Sequence, residues 1–198
     1  PAGIACANNT KAAVALSSSN QLAVVDVAAR RVTKYLKITA QEPRAIAVRN
    51  CKLYVLPFDS NNQTQLSGGK EEDIDGELVT FNAQKLAGSF DSAGFTVDIV
   101  KNAKIPDRDL YIFDTETDEL LQTVGSLGTN LFGLAIDEAD NVFIANTDAR
   151  NHINGKAGTK KHGLQELGNR PYLTRVTKVA ADHQPAFFHL NPLAPEPP

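Results

Sequence analysis

The most constraining feature of the sequence is an internal repeat. Segments 22–32 (LAVVDVAARRV) and 110–120 (LYIFDTETDEL) each contain an apolar run, an aspartate (Asp26 or Asp114), a polar turn and the start of a second strand. Such an aspartate can accept hydrogen bonds from the backbone N–H groups of the turn it opens, which favours a β-hairpin. The second strands are predicted at 32–38 and 120–124, with a weaker third copy at 173–179. The chain is therefore predicted to consist of recurring hairpins.

A different hairpin precedes each of these copies. Its first strand has a small–apolar–alanine–apolar core, and its second strand follows a polar turn. The first strands are 1–6, 43–48 and 131–136, and the second strands are 12–16, 52–56 and 141–145. Small residues suit a strand near a central axis, where neighbouring sheets converge; they are Gly3, Ala5, Ala45, Ala47, Gly133 and Ala135.

Two hairpins in each repeat make one four-stranded antiparallel sheet. We therefore predict an all-β fold of about three β-propeller blades in an incomplete ring. Helical periodicity is nearly absent, and its one candidate is the stretch 81–86. The predicted boundaries are blade 1 at 1–40, blade 2 at 43–127 with an insertion at 59–107, blade 3 at 131–191 with an insertion at 148–170, and a Pro-rich tail at 192–198.

Several strings resemble the YVTN-type, lactonase-like β-propellers of bacterial and archaeal surface proteins. They are 24–32, 43–48, 52–55 and 142–147, and the pair 146–151 and 169–177 is similar to a subgroup of large exported propellers. The resemblance covers most of the chain outside 60–107. It implies an extracellular, cell-surface or periplasmic location and a ring of typically seven blades. It says little about activity, because one fold serves many functions.

Three blades do not close such a ring, so open sheet faces and edges are expected. Another protein chain or a missing segment would complete the propeller, or the chain would associate with copies of itself; the first explanation is favoured. The sequence begins at Pro1 and contains no Met. We therefore expect a processed N-terminus or a partial gene product.

Both insertions follow the second strand of their blade, so they are expected on one rim of the propeller. There, Asp59 aligns with Asp148 and Asn62 aligns with Asn151. Oxygen ligands of these types suit Ca²⁺, which makes the four residues a candidate metal site. The favoured alternative is that each aspartate caps its own loop. The acidic run 71–75 is interpreted as a solvated loop.

Composition excludes some classes of function. A net charge of −3 gives no basic surface for nucleic acid, and no apolar run reaches the roughly 20 residues of a membrane span. Cys6 and Cys51 do not occur in a haem-attachment motif. They are expected either to form one disulfide or to be a buried strand thiol (Cys6) and a turn thiol (Cys51).

The sequence shows no compact catalytic constellation. We therefore expect a non-enzymatic exported module for protein–protein interaction or scaffolding. The family resemblance extends this to a role in a larger surface or redox assembly. The alternative is a metal-dependent, lactonase-like hydrolase in which Asp59, Asn62, Asp148 and Asn151 hold a divalent ion that activates water.

Overall fold

The structure is a computed structural model that describes residues 1–59, 65–67, 91–92, 95–99, 107–149, 170 and 172–191. Across these ranges the regular structure is β-strand apart from one short 3₁₀ turn. The predicted all-β class is confirmed. No described helix has the length and apolar character that crossing a membrane requires. The candidate helix at 81–86 lies outside the described residues, as does the tail at 192–198.

The first structural unit, unit 1, is a four-stranded antiparallel sheet whose strands follow chain order. Its strands are β1 (Gly3–Cys6), β2 (Lys11–Leu16), β3 (Gln21–Asp26) and β4 (Arg31–Lys37). A 3₁₀ turn at Ser17–Ser19 joins the two hairpins and ends at Asn20, which has a φ of 51°. Both predicted hairpins of the first repeat are confirmed.

Unit 2 has the same arrangement, although its two hairpins are far apart in sequence. The first hairpin is β5 (Gln41–Arg49) with β6 (Lys52–Asp59). A separate small sheet, which the sequence did not predict, follows as β7 (Gln65–Ser67), β8 (Asp91–Ser92) and β9 (Phe95–Ile99). The second hairpin is β10 (Leu110–Asp114) with β11 (Leu120–Val124), and β10 pairs with β6.

Unit 3 repeats the pattern with β12 (Asn130–Ile136), β13 (Val142–Ala149), β14 (Tyr172–Val179) and β15 (Pro185–His189). One backbone pairing, between Asn130 and Asp59, connects it to unit 2. The described residues thus form three four-stranded antiparallel units, and their strands do not close into a barrel.

The turns inside the second hairpins follow the predicted chemistry. The Asp26 carboxylate accepts a 2.9 Å hydrogen bond from Ala29 N–H. The Asp114 carboxylate accepts 2.8 Å bonds from the N–H groups of Thr117 and Glu116, and these bonds hold the pKa of Asp114 below its usual value. The ionised aspartate therefore stabilises the turn that the sequence assigned to it.

Two hydrophobic cores fill the spaces between consecutive units. Core 1, between units 1 and 2, contains Ala13, Ala15, Leu22, Val24, Leu36, Ile38, Ala40, Leu53, Val55, Tyr111 and Phe113. Core 2, between units 2 and 3, contains Tyr54, Leu56, Leu110, Ile112, Leu127, Leu131, Val142, Ile144 and Val179. Because side chains alternate along a strand, β6 and β10 contribute to both cores, and unit 2 is buried on both faces.

The first strands of the units lie side by side, with β5 between β1 and β12. The close approach of these strands requires the absence of a side chain at Gly3 but not at Gly133. A methyl group added to Gly3 would stand 2.3 Å from the Arg44 carbonyl oxygen, whereas one added to Gly133 would meet no atom of the described residues within 4 Å. Gly3 therefore faces a neighbouring unit, and Gly133 has no such neighbour among the described residues.

The two cysteines are free and exposed in the structure. Cys6 lies on β1, and Cys51 lies in the turn between β5 and β6 with a φ of 57°. The prediction that Cys6 is buried was wrong, because its side chain lies on the face of β1 opposite core 1.

Candidate functional site

The candidate site is the rim where β6 and β13 end and where β5 and β12 begin. Along the chain, residues 60–64 follow the end of β6 and residues 150–169 follow the end of β13, and both segments belong to the predicted insertions. It therefore combines strand ends from units 2 and 3 with the attachment points of both insertions. Loops that rigid strands hold in this way are common binding elements.

An arginine and two phenylalanines lie together at this rim, and we call Arg44, Phe58 and Phe132 the rim cluster; Arg44 and Phe132 are exposed, and Phe58 is half-buried. The Arg44 guanidinium lies 4.1 Å from the centre of the Phe58 ring. The Phe58 and Phe132 rings meet edge to face, with centroids 5.6 Å apart at 72°. Phe132 leaves 55% of its surface exposed. The cluster thus presents aromatic and cationic surface together.

Local backbone contacts position Arg44. The preceding residue, Pro43, has its carbonyl oxygen bound by the Ser17 hydroxyl at 2.9 Å. Glu42 has a φ of 53°, and its N–H donates to the Asn20 side chain at 2.9 Å. The Glu42 carboxylate in turn pairs with Arg44. Unit 1 therefore orients the arginine of unit 2.

Beneath the rim, a buried polar network ties the loop between units 2 and 3 to unit 3. The Leu127 carbonyl oxygen accepts hydrogen bonds from Asn146 Nδ2 at 3.0 Å, Arg175 Nη2 at 2.8 Å and the Thr177 hydroxyl at 3.1 Å. On its other side, Leu127 N–H donates to Asp109 Oδ2 at 2.7 Å. Three donors on one carbonyl offset the cost of burying these polar groups.

Arg175 is the charged centre of this network and is 7% exposed. Burial lowers its pKa, while the nearby carboxylates of Asp148 and Asp109 oppose that shift. Its Nη1 lies 3.0 Å from Asp148 Oδ2, and its guanidinium lies 4.2 Å from the Phe187 ring centre. Arg175 Nε and Thr147 Oγ1 are buried and find no hydrogen-bond partner among the described residues.

A glycine makes the close packing at the network possible. A methyl group on Gly128 would stand 2.2 Å from Asn146 Nδ2 and 2.8 Å from the Thr147 carbonyl oxygen. Both distances are far below van der Waals contact. The loop can therefore approach β13 only because residue 128 has no side chain.

The predicted metal ligands are only partly described. Asp59 ends β6, and Asp148 lies in β13; β12 separates these two strands, and its Asn130 pairs with Asp59 on one side and Thr147 on the other. The Asp148 carboxylate pairs with Arg175. Asn62 and Asn151 lie outside the described residues. No group of three possible metal-binding His, Cys, Asp or Glu side chains occurs within the described part of the chain.

Sequence reasoning missed Arg175, Asn146 and the rim cluster. One signal was available, because Arg175 lies two residues from Thr177 and four from Val179 on a strand. A period of two places all three on the core side, and a charged residue there needs a buried partner. No sequence pattern connects Arg175 with Leu127, which lies 48 residues earlier.

Comparison with known proteins identifies no relative: no protein-family model and no curated protein matches this sequence.

Proposed function

We propose that this chain is part of an exported β-propeller that binds other proteins through its rim and acts as a non-enzymatic scaffold. Such a module fits within a larger cell-surface or redox assembly, as the resemblance to YVTN-type propellers implies. The observation that carries the proposal is the rim cluster beside the attachment points of both insertions.

The arrangement of the units supports the propeller part of the proposal. Each unit has four antiparallel strands, and the first strands of the units lie side by side. The sheets pack face to face through cores 1 and 2. Propeller blades pack in this way around a central axis. Another chain or a further segment would supply the remaining blades.

The chemistry of the rim cluster supports protein binding. Aromatic residues and arginine are enriched at the energetic centres of protein interfaces. The Phe132 ring offers apolar surface, and Arg44 offers hydrogen-bond donors that are already oriented by Glu42 and Phe58. Because the cluster is held by strand ends, a partner would meet a preorganised surface, which reduces the entropy lost on binding.

The hydrolase alternative depends on a divalent ion held by Asp59, Asn62, Asp148 and Asn151. An ion bound to Asp148 would have to displace or share the carboxylate with Arg175, which lies 3.0 Å away. Removing the partner of a largely buried arginine is costly. This contact favours the interaction module over the hydrolase.

Affinity capture from membranes and culture fluid of the source organism tests the proposal. We expect wild-type chain to recover a specific partner and Phe132→Ala to lose at least about ten-fold in recovery, as for a residue at the centre of an interface. The matched control is Leu121→Ala, because Leu121 is 52% exposed but lies on β11, away from the cluster. Capture of no specific partner by the wild type, or equal capture by Phe132→Ala, would contradict the proposal.

A further inference from the structure

Among the described residues, no other unit packs on one face of the unit 1 sheet, which we call the leading face: Ile4, Cys6, Ala12, Val14, Ala23, Val25 and Tyr35. Cross-strand pairs connect its members in rows, such as Ile4 with Val14, Val14 with Ala23, and Ala23 with Tyr35. Ala12 and Ala23 are each 4% exposed, whereas Ile4 is 68% exposed and Tyr35 is 59% exposed. Exposed apolar surface of this kind marks an interaction site.

In the described part of the chain, the opposite face of the unit 3 sheet also has no unit packed on it, and we call it the trailing face: Gly133, Ala135, Phe143, Ala145, Val176 and Phe188. Gly133 pairs with Ala145, Ala145 with Val176, and Val176 with Phe188. Phe188 is 52% exposed, and no atom of the described residues lies within 4 Å of a methyl group placed on Gly133. The two open faces are therefore at the two ends of the row of units.

Equivalent positions in the repeat show what each open face is shaped to meet. Gly3 of unit 1 lies against Ile46 of unit 2, with 3.6 Å between the added methyl position and Ile46 Cγ1. One unit later, the equivalent residues Ala45 and Leu134 are both partly buried against core 2. In unit 3 the residue equivalent to Gly3 and Ala45 is Gly133. Its partner in the series would be a residue equivalent to Ile46 and Leu134. In unit 1 that residue is Ile4.

The hairpin turns at the end of the units away from the rim indicate what kind of unit meets the leading face of unit 1. Between units 1 and 2, Lys11 at the first-hairpin turn reaches the second-hairpin turn and lies 2.6 Å from Asp118. In unit 1 the position of Asp118 is taken by Arg30; their φ angles are 52° for Arg30 and 59° for Asp118. A preceding unit that carried a lysine like Lys11 would place it against this arginine.

Unit 3 provides the opposite charge. Its first-hairpin turn, residues 137–140, contains Asp137, Glu138 and Asp140; Asp140 already pairs with Arg49 of unit 2, whereas Glu138 is exposed. In unit 1, Arg30 lies in the second-hairpin turn and Arg31 begins β4. The charges at the open ends are reversed relative to the contact between units 1 and 2, and they complement each other. This complementarity favours a second copy of the chain over an unrelated partner.

We propose that two copies of this chain associate head to tail, with the trailing face of each unit 3 packed on the leading face of the partner's unit 1. The two identical contacts would close a ring of six units, within the four to eight blades found in propellers. Ile4 would pack against Gly133 of the other copy, and Arg30 would meet Glu138. The inference rests on the propeller arrangement proposed above and identifies the occupant of the open faces.

Native mass spectrometry and light scattering of the purified chain test the association. We expect a particle with twice the mass of one chain. Ile4→Glu should shift it to monomer with at least a hundred-fold weaker association and no loss of folding, since Ile4 is already exposed within one chain. Leu121→Glu is the matched control and should remain dimeric. A wild-type monomer, a wild-type dimer unaffected by Ile4→Glu, or larger open chains would overturn the proposal.

A charge exchange tests the polarity of the contact. Arg30→Glu and Glu138→Arg should each weaken the dimer at least ten-fold, and the double variant should restore most of the wild-type affinity. Failure of the double variant to restore it would show that these turns do not meet and would overturn the head-to-tail contact. Partner capture by Phe132→Ala is a separate measurement. A chain that does not dimerise would therefore overturn the head-to-tail contact without deciding the proposed rim function.

Discussion

Units 2 and 1 have the same four-stranded arrangement but very different surroundings. In unit 2, Leu110–Phe113 of β10 are all buried, because core 1 covers one face and core 2 the other. In unit 1, the equivalent strand β3 buries Leu22, Ala23 and Val24 but leaves Val25, the counterpart of Phe113, half-buried. Among the described residues unit 1 has one neighbouring unit and only core 1, whereas unit 2 lies between two cores.

The sequences of the two units reflect these surroundings. Strand β10 is a continuous apolar run, as expected for a strand that is buried on both faces. The equivalent strand of unit 1, β3, has Ala23 and Val25 where β10 has Tyr111 and Phe113, so it offers smaller side chains on the face that no described unit covers. Unit 2 thus has apolar side chains for two interfaces, whereas unit 1 forms one interface within the chain.

The largest expected effect contrasts Val55→Asp with Val14→Asp, which change equivalent positions of β6 and β2. Val55 is fully buried in core 1, so an unpaired carboxylate there should lower the free energy of unfolding by more than about 4 kcal/mol. Val14 lies on the leading face and should cost less than about 1 kcal/mol. Both free energies are measured by urea denaturation in the Ile4→Glu background. The chain is expected to be monomeric there, so association contributes to neither value. Similar losses for the two variants would show that unit 1 is not open on that side.

A smaller effect is expected from Gly128→Ala, with Gly133→Ala as its control. The Gly128 methyl would collide with Asn146 and the β13 backbone, so we expect a loss of about 1–3 kcal/mol in the free energy of unfolding. Gly133→Ala should stay within about 0.5 kcal/mol in the same background, because its methyl enters open space. Thermal and urea denaturation measure both, and an unaffected Gly128→Ala variant would argue against the loop position.

The smallest effect concerns pH at the contact between units 2 and 3. Hydrogen bonds from the Asn50 side chain and then from Arg49 lower the pKa of Asp140. A carboxyl with a lowered pKa in the folded state contributes stability above its unfolded value of about 4, and this is lost as pH falls through the folded value.

Asp140→Asn should therefore reduce the change in urea midpoint between neutral pH and about pH 3, while Arg49→Gln should remove part of the same change. An Asp140→Asn variant with the full wild-type pH dependence would exclude this carboxyl as a contributor.

The hairpins and their turns were predictable from sequence because they depend on local patterns. Asp26 and Asp114 mark turns through bonds to residues two or three positions away. The rim cluster was not predictable, because Phe58 and Phe132 meet only after unit 3 packs beside unit 2. Cys6 was misjudged for the same reason, since its exposure depends on which unit covers the leading face.

The separation of β6 from β10 in sequence has a consequence for the order of folding. The β3–β4 hairpin closes over four residues, whereas about 50 residues lie between Asp59 and Leu110. Closing the longer loop costs about 2 kcal/mol more in chain entropy before any pairing is gained. Non-local pairing also slows folding. We therefore expect unit 2, the most buried sheet of the native protein, to be the last to assemble. Its β5–β6 hairpin would form and pack on unit 1 before β10 pairs with β6.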